Sequence, residues 1–156
     1  MRLADDELKE KVKNCNKIIA RRLDDARKKD LYENALEIME SATTEQMFEN
    51  AGYMFIEVMD YADAKEKSQE CFEKGEIARK DTILSEAEAN MTGSNPLNYL
   101  NAIALLEEIP GWKDADEKIL ACRNKIEEIK VKEQEERLER KRKAEEVRIQ
   151  IQKAEE

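Results

Sequence analysis

The feature that most constrains this chain is its similarity to itself at an offset of 51 residues. Tyr61-Ala62-Asp63-Ala64, running on to Cys71, is matched by Trp112-Lys113-Asp114-Ala115, running on to Cys122. The same offset pairs Phe48 with Tyr99, Ala51 with Ala102, Phe55 with Leu106 and Val58 with Ile109. It also pairs Glu66-Lys67 with Glu117-Lys118, and Lys29-Asp30 with Lys80-Asp81, so the register is expected to hold without a gap. Such a period implies stacked units, each too small to bury its own apolar face and completed by its neighbour. Near the N-terminus, Lys11-Val12-Lys13-Asn14-Cys15 resembles Lys118-Ile119-Leu120-Ala121-Cys122. The chain is therefore expected to open with the end of an earlier unit, as a fragment of a larger protein would.

The units should be helical. With only 4 Gly and 2 Pro in 156 residues, there is little turn chemistry for a β-fold. Apolar residues recur at helical spacing: Phe48, Ala51, Phe55 and Val58/Met59; Leu100, Ile103, Leu106 and Ile109; Ile119, Cys122, Ile126 and Ile129. Five helices are predicted, over about 3–41, 44–59, 61–91, 96–108 and 113 to near the end. At their ends, Thr43 with Gln46 forms a candidate capping box, and Asp60 is a candidate N-cap. Thr92-Gly93-Ser94-Asn95-Pro96 supplies a C-terminal glycine, an N-cap and a first-turn proline. Pro110-Gly111 is a turn, Asp63 and Asp114 are candidate caps, and Gly75 is a candidate kink. The expected organisation is an N-terminal helix over 1–28 ending a preceding repeat, two repeats over 29–129, and a charged extended helix over 130–156.

Tyr32-x-x-Ala35-x-x-x-Met39, Phe48-x-x-Ala51-x-x-x-Phe55 and Tyr99-x-x-Ala102-x-x-x-Leu106 resemble the second-helix pattern of tetratricopeptide repeats. The aromatic-x-Asp-Ala … Cys ending is similar to that of divergent tetratricopeptide-like repeats common in Gram-positive bacteria. The resemblance covers about residues 28–126. The period here is 51 residues, and the first-helix Trp and Leu-Gly signature is missing. What the resemblance implies is an all-α, helical-hairpin solenoid acting as a protein-interaction scaffold.

Candidate chemistry is sparse. The sequence has no histidine, so Ser-His and Cys-His pairs cannot form, and Glu-x-x-His metal motifs are excluded. It also lacks a glycine-rich phosphate loop. Cys15, Cys71 and Cys122 are widely spaced and odd in number, which suits reduced, structural thiols better than a disulfide framework or a metal site. No catalytic residue, metal, cofactor or enzymatic activity is expected. A net charge of -9 disfavours nucleic acid and anionic membrane surfaces as targets. With no apolar signal core or spanning segment in the sequence, the expected location is cytoplasmic, or a cytoplasm-facing part of a larger protein.

Function is therefore expected in surfaces. Beyond Ile129, Glu133/Arg137, Glu136/Arg140 and Glu139/Lys143 can pair at i, i+4, which fits an isolated, charge-laced spacer helix. The alternative is a structural element in which this helix forms a weak coiled-coil homodimer. Tyr53 and Phe72 stand outside the repeat, because their partners at offset 51 are Ala104 and Arg123. They are the candidate surface for a protein or peptide partner, with ordinary local packing as the alternative.

Overall fold

Five α-helices form in the computed structural model, which describes residues 2–156: α1 (Arg2–Ser41), α2 (Glu45–Glu57), α3 (Ala64–Asn90), α4 (Pro96–Leu106) and α5 (Ala115–Glu155). There is no strand among the described residues. The chain is all-α and divides within α3 into two units, one up to Arg79 and one from Lys80.

In the first unit, Ala35 and Met39 of α1 meet Ala51 and Phe55 of α2, with Val58 below and Ala64 and Cys71 of α3 closing the cluster. Phe55 has no exposed surface. The Tyr32 ring lies edge-on to it at 5.5 Å and tilted against Tyr61 at 5.3 Å. The Tyr32 hydroxyl donates to Asp63, which pushes its pKa up to about 12. Alanine at 51 lets the helices approach while the aromatic rings fill the space beside it. Gly75 serves the same end rather than kinking a helix. α3 runs through it unbroken. A Cβ there would lie 3.3 Å from the Cβ of Phe48 and 3.6 Å from the Glu45 carbonyl oxygen of α2. Gly75→Ile places a branched side chain against that backbone. We expect a loss of about 1–3 kcal/mol, the range for overpacked cores, read as a shift in urea midpoint.

The second unit has a core of its own. Leu84 and Ala87 of α3, Tyr99, Ala102 and Leu106 of α4, Ile109, and Ala115, Cys122, Ile126 and Ile129 of α5 form its core. Asn95 caps α4 by accepting from the Leu97 amide at 3.0 Å, with Pro96 at the first helical position. Gly93 takes φ +75°, where a glycine is favoured, and its carbonyl accepts from the Tyr99 hydroxyl at 2.9 Å. Trp112 is half-buried. Its Nε1 donates to Asp81 at 3.0 Å, and the Lys80 ammonium stands 4.9 Å from the ring centre.

The turn after α2 and the turn after α4 agree bond for bond. The amides of Val58, Tyr61 and Ala64 donate to the carbonyls of Phe55, Val58 and Tyr61. Those of Ile109, Trp112 and Ala115 donate to Leu106, Ile109 and Trp112. Ala62 and Lys113 share φ +46°, a left-handed conformation unusual for either residue. Burial matches as well: Ala51 and Ala102, Phe55 and Leu106, Ala64 and Ala115, and Cys71 and Cys122 are each fully buried.

The 51-residue register does not extend upstream of the loops. The residues that do the same work there are 52 apart: fully buried Ala35 and Ala87, and Met39 and Met91 lining their cores. The segment from Met39 to the N-cap Thr44 is one residue longer than that from Met91 to Asn95, because α1 runs on to Ser41 whereas α3 ends at Asn90. Lys29-Asp30 is consequently not the counterpart of Lys80-Asp81. It is Lys28 that reaches the turn, bonding Asp60 at 2.6 Å. Asp60 thus pairs across the unit instead of capping α3.

Three other caps differ from expectation. Thr44, not Thr43, caps α2 by accepting from the Met47 amide at 3.3 Å, and Gln46 bonds Asn50. Asp63 accepts from Tyr32. The Asp114 side chain pairs with Lys118 at 3.0 Å and makes no capping bond. Beyond Ile129, α5 is exposed along its length. Glu139 pairs with Arg142 at 2.7 Å and Lys143 at 3.9 Å, and Arg148 with Glu145 at 2.9 Å. Arg140 donates to the Glu136 carbonyl oxygen rather than to its carboxylate.

Candidate interaction surface

Away from its core stripe, α2 exposes apolar as well as polar side chains. Tyr53 and Ile56 lie three residues apart on it, 58% and 40% exposed, and Met59, in the turn after α2, is 46% exposed. Phe72 and Ile77 join them from α3, Ile77 being 47% exposed. The Tyr53 and Phe72 rings meet edge-to-face at 5.3 Å, so the two aromatics singled out in the sequence form one pair. Gly52 makes the pair possible: a Cβ there would stand 2.9 Å from the tip of the Phe72 ring. Met59, Phe72 and Ile77 line an open groove together with the polar Lys65, Gln69, Glu73 and Glu76.

The second unit shows that the fold does not need these apolar groups. At offset 51, Tyr53, Ile56, Met59, Phe72 and Ile77 become Ala104, Glu107, Pro110, Arg123 and Glu128. There Arg123 and Glu107 form an ion pair at 3.8 Å, and Glu128 pairs with Lys125 at 3.3 Å. Ile56, Phe72 and Ile77 thus stand against the charged Glu107, Arg123 and Glu128, and Tyr53 and Met59 against the smaller Ala104 and Pro110.

The two aromatics are not equivalent. Phe72 is half-buried against Gly52 and contributes packing, whereas Tyr53 is the accessible member. Ile56, Met59 and Ile77 were not singled out from sequence alone. The pairing of Ile56 with Glu107 and of Ile77 with Glu128 carries the signal that would have found them.

Ionisable groups nearby are tuned by simple surface pairing. Lys74, then Lys67, holds the Glu70 carboxyl below its ordinary value, and Lys28 does the same for Asp60. Burial pushes the Cys71 and Cys122 thiols up, while Cys15 is exposed. Thiolate is the reactive form. In a native Ellman titration we expect Cys15 alone to react within minutes, and Cys71 and Cys122 only after denaturation. Rapid modification of either buried thiol would contradict the packing.

Among the described residues no group of three or more Cys, Asp or Glu is arranged to hold a metal ion. No helix among them is long and apolar enough to cross a membrane. The sequence matches no protein-family model, no curated protein and no solved structure.

Proposed function

We propose that this chain is a non-catalytic protein-interaction scaffold of stacked, tetratricopeptide-like helical repeats. The Tyr53–Ile56–Phe72 face of the first unit is its partner surface, and α5 beyond Ile129 is a spacer. The observation that carries this reading is the exchange, at matched positions, of exposed Ile56 and half-buried Phe72 for the Glu107–Arg123 ion pair. An exposed aromatic with aliphatic neighbours is the composition of a binding hot spot. The net charge of -9, and the carboxylates of Glu73 and Glu76 against the single ammonium of Lys65 in the groove, favour a partner whose apolar segment is flanked by basic residues.

Tyr53→Ala with Ile56→Glu installs in the first unit the residues the second unit carries at those positions, so the fold should tolerate both. Purified partner captured by the wild-type chain should bind the double variant at least tenfold more weakly, with little change in melting temperature. Equal capture by both would overturn the proposal.

The alternative, self-association through residues 130–156, draws on the exposed Leu138, Val147 and Ile151. The pairing of Glu139 with Arg142 and Lys143 within one helix favours the spacer. We expect sedimentation to give the same oligomeric state with and without residues 130–156.

A further inference from the structure

The N-terminal half of α1 carries a second apolar feature, and the rest of the chain shows what covers such a feature. Residues 2–27 are exposed throughout. Within them Leu8, Val12, Cys15 and Ile19 lie four, three and four residues apart on one helix face. Leu8, Val12 and Ile19 are 61%, 52% and 54% exposed.

The same spacing occurs twice more. It is Ala64, Ser68, Cys71 and Gly75 in α3, and Ala115, Ile119, Cys122 and Ile126 in α5. The flanks agree too, with Glu10-Lys11, Glu66-Lys67 and Glu117-Lys118 each ahead of the cysteine by the same step. In α3 all four positions are buried, and α2 lies against them, the backbone of Glu45 and the Cβ of Phe48 standing over Gly75. In α5 the stripe packs in one cluster with Tyr99, Ala102 and Leu106 of α4. Two of the three copies are thus covered by a helix reading aromatic-x-x-Ala-x-x-x-large apolar. The third is bare, yet it keeps Leu, Val and Ile where a solvated face would carry charges. Val12 and Ile19 match Ile119 and Ile126 more closely than Ser68 and Gly75, so the α4 pairing is the better template.

We propose that the Leu8–Val12–Cys15–Ile19 stripe is a docking seam for an α4-like helix of another polypeptide. That helix would present an aromatic residue, an alanine three positions on and a large aliphatic residue four beyond it. This seam is separate from the Tyr53 surface, and Cys15 places a thiol in its middle.

The thiol provides the test. A synthetic peptide of residues 94–111, held helical by a bridge between exposed positions 100 and 104, is added to the full chain, and the rate of Cys15 alkylation is followed. We expect saturating peptide to slow it tenfold or more. A peptide with Ala102→Lys should have no effect, and a chain with Val12→Lys and Ile19→Lys should lose the protection. Protection should survive in the Tyr53→Ala, Ile56→Glu chain, which keeps this result distinct from that of the partner-capture experiment. Three outcomes would overturn the proposal: no protection, equal protection by the Ala102→Lys peptide, or protection that rises with chain concentration alone, which would make the occupant a second copy.

Discussion

Phe55→Ala is expected to lower the free energy of unfolding by about 3–5 kcal/mol, the range for truncating a large buried aromatic. The phenyl ring is fully buried and holds the Tyr32 ring edge-on at 5.5 Å. Its removal leaves a void bounded by α1, α2 and the turn, and the Tyr32–Tyr61 contact loses its support. Against a typical total of about 5–15 kcal/mol, such a loss leaves the first unit marginal. Phe55→Leu, which installs the residue found at Leu106, should cost less than Phe55→Ala because it leaves a smaller void. Urea denaturation gives the magnitudes. Amide exchange locates them, with protection lost first across residues 31–71.

Trp112→Ala is expected to cost about 2–3 kcal/mol at the second turn. That lies below the range for fully buried tryptophan because this ring is half-buried. The indole does three things: it covers the turn, donates Nε1 to Asp81 at 3.0 Å, and receives the Lys80 ammonium at 4.9 Å. Trp112→Tyr, the residue of the first unit, should recover part of the loss.

The same corner sets an acid limit. Lys113, then the Trp112 indole, holds the Asp81 carboxyl below its ordinary value. A carboxylate depressed in the folded state contributes fully above its unfolded pKa, near 3.9, and the contribution is lost as pH falls through the folded value. Asp81→Asn should therefore flatten the fall in stability below about pH 4, measured by denaturation at successive pH values.

Helix identity was legible in the sequence because it is written many times over. Phe48, Ala51, Phe55 and Val58 repeat a single message, and one ambiguous residue does not erase it. Helix ends were less legible. Thr43 and Thr44 are equally good caps by composition, and only the backbone geometry of the loop gives Thr44 the Met47 amide. Asp60 has the composition of a cap too, but Lys28, remote in sequence, claims it. The one-residue change in register upstream of α2 and α4 was hidden because the segments that absorb it share no residues to align. Tyr53 and Phe72 were found by comparing the units, and the same comparison extended to Ile56 and Ile77 would have outlined the whole surface. The role of Gly52 beneath Phe72 could not be read from sequence, since it depends on how closely α2 and α3 approach.

A partner is expected on the apolar face of the first unit and not at the same place in the second. Photo-crosslinking tests it directly, with p-benzoylphenylalanine placed at Tyr53 in one chain and at Ala104 in another. Illumination in the presence of the cognate partner should give a covalent adduct to that second polypeptide from position 53 and none from position 104. Adducts of equal yield from both positions, or from 104 alone, would contradict that expectation.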